Sequence, residues 1–262
     1  MMLSLTSVLL VDGRQLTGAG FAAFAATQPD TPGKLIVHAL SYEHMEEAAY
    51  DLLGKVARRA GDAEVAAVAS SIEAQERAMG DRVAGCFDRA AAASLASADA
   101  RRIDQQLSRY LTDAHAIELQ ALVQVKRAPK IAGDPEIAAA FEKHIGETEK
   151  HERYVHDRLM AMSWKPVPQK DIAGRVSGIG FALFARFQPD TPAKLAGFAY
   201  AFEHLEVAAY KLLQHVAARV DDRETVRVAD TILLEERAAA AKIHGLFEQA
   251  LDASLQEAGV SV

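Results

Sequence analysis

Two similar stretches of this sequence place paired glutamates in an apolar, alanine-rich context. They are FEHLEVAAY at residues 202–210 and YEHMEEAAY at residues 42–50. In an α-helix, residues three apart lie on neighbouring parts of one face, so each stretch directs two carboxylates to the same side. Carboxylates on the apolar side of a helix are costly to bury unless cations neutralise them. The pattern therefore predicts a buried cation site.

Helical-wheel positions identify which side chains point inward. At about 100° per residue, Glu206 lies at the centre of the apolar stripe of its helix, Glu203 lies about 60° away, and His204 lies about 160° away. Glu236 and Glu118 are flanked by apolar residues in the same way on two other helices. We therefore expect three inward acids, with Glu203 at the edge of the stripe and His204 facing away from the core.

A fourth helix, between residues 135 and 162, contributes histidine as well as glutamate. Its apolar stripe contains His144 and His151, and Glu147 lies at its edge. Counting outward from the predicted turns puts the polar residues of all four helices at one level. The predicted ligands are Glu118, Glu147, His151, Glu203, Glu206 and Glu236, with His144 as a weaker candidate.

Several ionised carboxylates cannot share an apolar core without cations. Glu and His projecting inward from four helices are the ligand type of di-iron and di-manganese bundles. We therefore predict about two divalent metal ions per chain, iron or alternatively manganese or zinc. The alternative is a metal-free helical scaffold or interaction protein, in which the same Glu and His form a buried hydrogen-bonded network and a duplicated hairpin serves as docking surface.

Two further polar residues lie near the predicted ligands. Tyr210, about 40° from Glu206 on the wheel, has a functional role, in which it hydrogen-bonds a ligand or donates an electron, or it closes the core as an aromatic side chain. His115, about 60° from Glu118, either supports a ligand or has a structural role. The residues leave both alternatives open.

The chain contains an internal duplication. Residues 20 to about 96 align without a gap on residues 180 to about 256, at a constant offset of 160. Each copy predicts a helical hairpin that begins at QPDTP, where Asp and Thr are capping candidates and Pro takes the first helical position. A third hairpin lies between the copies, and the Pro- and Gly-containing stretch 163–180 predicts a long connection.

These patterns predict an all-α fold of six main helices, the last of them over residues 222–255. Residues 101–262 form a four-helix bundle, and residues 1–100 form an extra N-terminal hairpin. In that hairpin Glu43, Glu46 and Glu76 have the helical directions of Glu203, Glu206 and Glu236, which makes them weaker ligand candidates; they are the duplicate set. Either the hairpin packs as an extra layer or dimer interface with a relict site, or it pairs with its symmetry mate into a second bundle.

Composition excludes several classes of function. The formal charge of −7 over 262 residues, with no run of Lys and Arg, predicts no nucleic-acid or acidic-membrane partner. The single Cys86 excludes a disulfide framework and a Cys-built metal site, and it fits a reducing, cytoplasmic location. No apolar stretch approaches the roughly 20 residues that span a membrane.

Four segments carry a family resemblance: LTDAHAIELQAL (111–122), FEKHIGETEKH (141–151), FEHLEVAAYKLL (202–213) and LLEERAAAAKI (233–243). They resemble the four helices of the YciF-type stress-response family, a ferritin-like family of poorly defined function, over residues 105 to about 256. The resemblance implies a ferritin-like bundle with a long crossover between its second and third helices, a homodimer and a di-iron site. The corresponding role is stress or redox defence, as an oxidase or peroxidase acting on peroxide or dioxygen, or as an iron-handling protein.

The chain departs from the broader ferritin-like ligand pattern, in which two helices supply Glu and two supply Glu-x-x-His. Ala239 stands three residues after Glu236, and Lys150 stands three residues after Glu147. His151 follows Glu147 by four residues instead. Imidazole is therefore scarcer than the pattern expects.

Overall fold

The computed structural model describes residues 31–96, 103–168 and 191–260, and within these ranges the chain is helical with no strand. The predicted all-α helical bundle is thereby confirmed. The α-helices of these ranges are α1 (Thr31–Arg59), α2 (Ala63–Ala84), α3 (Phe87–Ala96), α4 (Ile103–Val125), α5 (Pro135–Ala161), α6 (Thr191–Arg219), α7 (Arg223–His244) and α8 (Phe247–Glu257). A short 3-10 helix, Ala128–Lys130, lies between α4 and α5. None of these helices is long and apolar enough to cross a membrane.

Aspartates begin the second helix of each hairpin. The Asp62 carboxylate accepts the backbone N–H of Val65 at 3.0 Å, and Asp222 accepts that of Thr225 at 3.0 Å. Asp134 accepts two backbone N–H groups at the start of α5. Each cap satisfies N–H groups that have no partner within the helix, so it fixes where the helix starts. Fixed starts set the level at which side chains of facing helices meet.

Helices α4 to α7 form a four-helix bundle. The hairpin α4–α5 meets the hairpin α6–α7 through contacts of α4 with α6 and of α5 with α7. Two apolar clusters fill the bundle, one containing Leu111, Val155, Leu213 and Ile232, the other containing Val125, Phe141, Leu195 and Ile243. Along every helix the buried acids and histidines lie between members of the two clusters. The polar side chains therefore form one layer across the middle of the bundle.

The duplicated hairpins are related by a local two-fold axis. Helix α1 packs along α6, and positions 160 residues apart meet where the two helices cross. Ser41 Oγ donates to the Ala201 carbonyl at 2.8 Å, and the rings of His44 and His204 stack with centroids 3.5 Å apart. A hairpin and its copy thus pack back to back.

Ion pairs repeat on both sides of this axis. Arg59 of α1 donates to Glu248 at 2.7 Å. Arg219, its equivalent in α6, donates to Asp88 at 2.7 Å, and Asp88 is the equivalent of Glu248. Because both halves of the contact pair an arginine with an acid at equivalent positions, the duplication extends to the interface itself.

The outer face of α1–α2 lacks the cover that its copy has. Leu35 is 45% exposed and Leu53 is 44% exposed, whereas the equivalent Leu195 and Leu213 are 4% and 0% exposed. In the second copy the hairpin α4–α5 covers these positions. The exposed apolar face of α1–α2 is therefore the face on which a second bundle would be built.

The structure differs from the sequence prediction in the second helix of each copy. The helix expected over residues 222–255 is two helices, α7 and α8, separated by Gly245 and Leu246, and the first copy breaks equivalently between α2 and α3. Glycine lowers helix propensity, and α8 after the break packs on α6 with Phe247 fully buried.

Some predictions fall outside the described residues. They include the capping candidates Asp30 and Asp190 and most of the predicted long connection. The division of the chain at residue 100 stays a prediction.

Candidate metal centre

The buried layer gathers potential ligands from all four helices of the bundle. Two groups of ligand atoms, each with its atoms within 4.8 Å of one another, share a single residue, Glu236. One group consists of His144, Glu203, Glu206 and Glu236, and the other consists of Glu118, His151 and Glu236. All of these side chains are buried, so the arrangement suits two neighbouring ions bridged by one carboxylate.

The donor atoms fit divalent cations. Both carboxylate oxygens of Glu206 are fully buried without a hydrogen-bond partner, and so is Oε2 of Glu118. Native proteins rarely leave buried oxygens unpaired, so these atoms need a proton or a cation. Four carboxylates balance two divalent ions in charge, and oxygen with imidazole nitrogen suits iron, manganese and zinc. The residues present therefore fit a di-metal site.

His144 is held by a carboxylate on the side away from the layer. Its Nδ1 lies 3.1 Å from Oε2 of Glu147, and Oε1 of Glu147 pairs with Lys143 at 3.0 Å. A carboxylate only accepts, so Nδ1 carries the proton and Nε2 is the atom free to bind an ion. Nε2 points into the layer, 3.2 Å from Glu203.

His151 repeats the arrangement with a carboxylate from another helix. Its Nε2 donates to Oε2 of Glu235 at 2.7 Å, and Lys150 donates to Oε1 of the same carboxylate at 2.6 Å. Nδ1 is then the atom left for an ion, and it lies 2.6 Å from Glu236. Histidines that bind metals are typically oriented by such carboxylates, which also fix the ring tautomer.

Tyr210 holds Glu118 in position by a hydrogen bond, as Glu147 and Glu235 hold the two histidines. Its hydroxyl donates to Oε1 of Glu118, and the ring is fully buried. The predicted hydrogen bond from Tyr210 to a candidate ligand is therefore present, and the ring also closes the core. Burial and the nearby Glu118 charge raise the pKa of Tyr210 well above its usual range. The phenol stays protonated and keeps donating.

Burial and mutual repulsion hold protons on the acids. Burial, together with the Glu236 charge, raises the pKa of Glu118 to about 8. Burial and the charges of Glu236 and Glu118 raise the pKa of Glu206 well above its usual range. Burial also raises the pKa of Glu236 to about 7, with Glu203 adding to the shift and His151 opposing it. Without cations the layer therefore keeps acids in their neutral form.

The raised pKa values leave the acids neutral, but they leave the two histidines of the layer positively charged. Burial disfavours the imidazolium of His144, but the charges of Glu203 and Glu236 outweigh it and raise the pKa to about 10. Burial likewise opposes charge on His151, while its contact with Glu236 raises the pKa to about 9. Protonated histidines thus occupy the places that cations would take, and binding of metal must displace those protons.

Most of the residues predicted as ligands meet in the layer, and Glu147 lies outside it. Glu118, His151, Glu203, Glu206 and Glu236 meet in the two groups, and so does the weaker candidate His144. Glu147 lies outside both groups, because its two oxygens are taken by Lys143 and His144.

Sequence reasoning did not single out Glu235 or the two lysines. The dipeptide Lys-His occurs at residues 143–144 and again at residues 150–151, a spacing of two helical turns. Seven residues return a side chain to almost the same helical direction, so both pairs lie on one face. That repeat is the feature of the sequence from which two histidines in equivalent settings could have been predicted.

His204 faces away from the layer, as its wheel position indicates, but it does not face solvent. It packs against α1, and its Nδ1 donates to the Tyr200 carbonyl at 2.9 Å. Burial and the neighbouring His44 lower the pKa of His204 to about 4. The conspicuous histidine of FEHLEVAAY is therefore part of the contact between the duplicated hairpins.

His115 pairs with Glu152 of α5 at 3.0 Å and lies outside both ligand groups. The duplicate set, Glu43, Glu46 and Glu76, also brings three carboxylate oxygens within 4.8 Å of one another. These three side chains are only half-buried, and no histidine joins their group.

The comparison with family models covers most of the chain. A model described as "Domain of unknown function (DUF892)" matches residues 22–96 and again residues 102–256. The second match contains every residue of the two buried ligand groups, and the first contains the duplicate acids. This chain therefore belongs to the DUF892 family, a ferritin-like family.

Proposed function

We propose that this chain binds two divalent metal ions in the polar layer that the four helices α4 to α7 enclose. Iron is the first candidate, and manganese and zinc are the alternatives. The observation that carries the proposal is that two buried groups of ligand atoms share Glu236. One ion would be held by Glu118, His151 and Glu236, the other by His144, Glu203, Glu206 and Glu236. Glu147, Glu235 and Tyr210 would orient ligands.

We further propose a role in stress or redox defence, in the manner of the YciF-type proteins that the four helices resemble. An iron pair supplies the electrons with which peroxide or dioxygen is reduced. The chain's own residues would hold the two ions, exclude bulk water from the layer and keep Glu118 in position through the Tyr210 hydroxyl. Membership of a ferritin-like family supports this role.

The competing function is a metal-free scaffold whose buried Glu and His stabilise each other. The contacts of His151 with Glu236 at 2.6 Å and of His144 with Glu203 at 3.2 Å favour it, because they form without a cation. Glu206 argues against it, since neither of its oxygens has a partner.

Metal analysis of untagged protein separates the two functions. We expect about two metal ions per chain after anaerobic loading with Fe²⁺. Protein that takes up neither iron, manganese nor zinc would leave the scaffold as the better description.

We also propose that the chain forms a homodimer through the outer face of α1–α2. This face exposes Leu35 and Leu53 at positions that are buried in the second copy by a helical hairpin. Contiguous apolar patches on such a face mark interaction sites. A second copy is the proposed occupant, because it offers an identical hairpin with the same exposed side chains.

A further inference from the structure

A cleft between α5 and α7 leads from the surface to one end of the polar layer. It has a volume of about 280 Å³, and its inner wall includes His144, a ligand candidate. Small side chains form much of the rest, namely Ala140, Ala238 and Ala239. The cleft thus reaches one member of the ligand group, His144, from the surface.

The size of the cleft suits a hydrated cation. Water occupies roughly 30 Å³, so an ion with about six waters needs roughly 180 Å³. A second pocket, beside Glu203 between α4 and α6, has a volume of only about 20 Å³. That pocket has no room for a hydrated ion, whereas the α5–α7 cleft does.

Each of the two lysines on the cleft wall has a carboxylate partner. Lys143 pairs with Glu147 at 3.0 Å, and Lys242 pairs with Glu136 at 3.4 Å. Glu235, also on the wall, carries a second carboxylate close to the entrance of the layer.

The two ion positions differ in their access to this cleft. His144 lines it, whereas His151 is 0% exposed and does not. Glu118, which would share the second ion with His151, is also 0% exposed and lies beside the buried Tyr210. An ion at the His144 position would be separated from the cleft by one imidazole ring, whereas neither His151 nor Glu118 of the other position lines the cleft.

We propose that the α5–α7 cleft is the entrance through which hydrated divalent cations reach the layer, and that it makes the two ion positions inequivalent. This inference rests on the proposed function. An ion at the His144 position enters and leaves directly through the cleft. An ion at the His151 position enters and leaves by way of the His144 position. Ala239 keeps the entrance open, at the place where the ferritin-like Glu-x-x-His pattern has a histidine.

The test narrows the cleft without touching a ligand. In Ala239→Met the added Cγ, Sδ and Cε atoms project into the cleft, and Met79 is the native residue at the equivalent position of α2. Ala238→Met narrows the same wall from the neighbouring position. Ala241→Met, on the exposed side of α7 and outside the cleft, is the matched control.

Each protein is loaded anaerobically with Fe²⁺, and release into a coloured ferrous chelator is followed in time. We expect wild type to release one ion quickly and the other slowly. Both cleft variants should hold the same total iron but release the fast ion several-fold more slowly, while the control should match wild type.

The outcomes separate the entrance from the centre itself. Iron bound normally, with a fast phase unchanged in both cleft variants, overturns the entrance and leaves the proposed function standing. A single release rate for both ions in wild type overturns the inequivalence. Wild-type protein that takes up no Fe²⁺ overturns the proposed function and this inference together.

Discussion

At the level of single residues, the layer combines side chains that would bind ions with side chains that hold them in position. Glu118 shows the energetic consequence. Its folded-state pKa, raised to about 8 by burial and Glu236, lies above the value of an exposed glutamate. Stability from this group is therefore fully present below about pH 4.5 and is lost as the pH rises towards 8. Metal binding reverses the relation, because ions favour the charged form.

We predict that Glu118→Gln stabilises the metal-free protein and weakens metal binding. Gln can still accept the Tyr210 hydroxyl but carries no charge to bury. In chelator the variant should be more stable than wild type by about 1–3 kcal/mol near pH 8, with the difference shrinking towards pH 5. Denaturant midpoints measured with chelator and with metal at both pH values check this. A variant less stable than wild type in chelator would support the scaffold instead.

The carboxylates behind the histidines give a second prediction. Glu235→Gln and Glu147→Gln should each lower metal affinity by about 10- to 100-fold, because a metal-binding His loses the partner that fixes its ring. Glu149→Gln, which removes only an exposed pair with Lys126, is the control and should bind metal as wild type does. Competition with a chelator of known affinity measures all three. Equal affinities would show that Glu235 and Glu147 do not orient ligands.

At the level of the helices, the same short motif serves two purposes on opposite sides of α6. Glu203 and Glu206 face the layer, while His204 packs between α6 and α1. A helix that is buried on two sides separates these roles by direction alone, since neighbouring residues differ by about 100°.

This separation predicts that His204→Ala leaves metal stoichiometry unchanged. The variant should lose about 1–3 kcal/mol of stability through its contact with α1, as expected for truncation of a buried side chain. His144→Ala should lower metal content instead. Metal analysis and thermal unfolding of the two variants provide the comparison, and metal loss in His204→Ala would show that the helix is oriented differently.

Much of the fold and of the site follows from periodicity. The inward direction of Glu118, Glu206 and Glu236 is a property of single helices, so a wheel finds it. The role of Glu235 depends on His151 of another helix, and wheel geometry contains no such pairing. His144 and Glu147 both lie near one stripe, so only the position of Lys143 and of the neighbouring helices decides which of them enters the layer. The break at Gly245 depends on how α8 packs against α6.

At the level of the whole molecule, the described residues contain one four-helix bundle, α4 to α7, and a further hairpin, α1–α2, packed against it. The two copies cover each other where α1 packs against α6. The outer face of α1–α2 has no such cover among the described residues and exposes apolar side chains. Exposed large apolar side chains on this hairpin include Leu35, Tyr42, Leu53, Val56, Val65, Val68 and Met79.

We predict that Leu53→Glu converts the proposed dimer into a monomer without altering metal content, because a charge replaces apolar area at the centre of the contact. Leu234→Glu is the control, since Leu234 is 72% exposed on α7, away from α1–α2. Sedimentation velocity gives the oligomeric state. Wild type that sediments as a monomer, or a Leu53→Glu variant that stays dimeric, would contradict the proposed interface.

The back-to-back contact of α1 with α6 has a further consequence for dilution. Because the two hairpins belong to one chain, their association is intramolecular and its effective concentration is set by the connection between them. The side of α6 that faces α1 therefore stays covered at any protein concentration. The packing of α1 behind Glu203 and Glu206 therefore does not depend on protein concentration, and the proposed metal centre would keep this support at copy numbers too low for separate subunits to assemble.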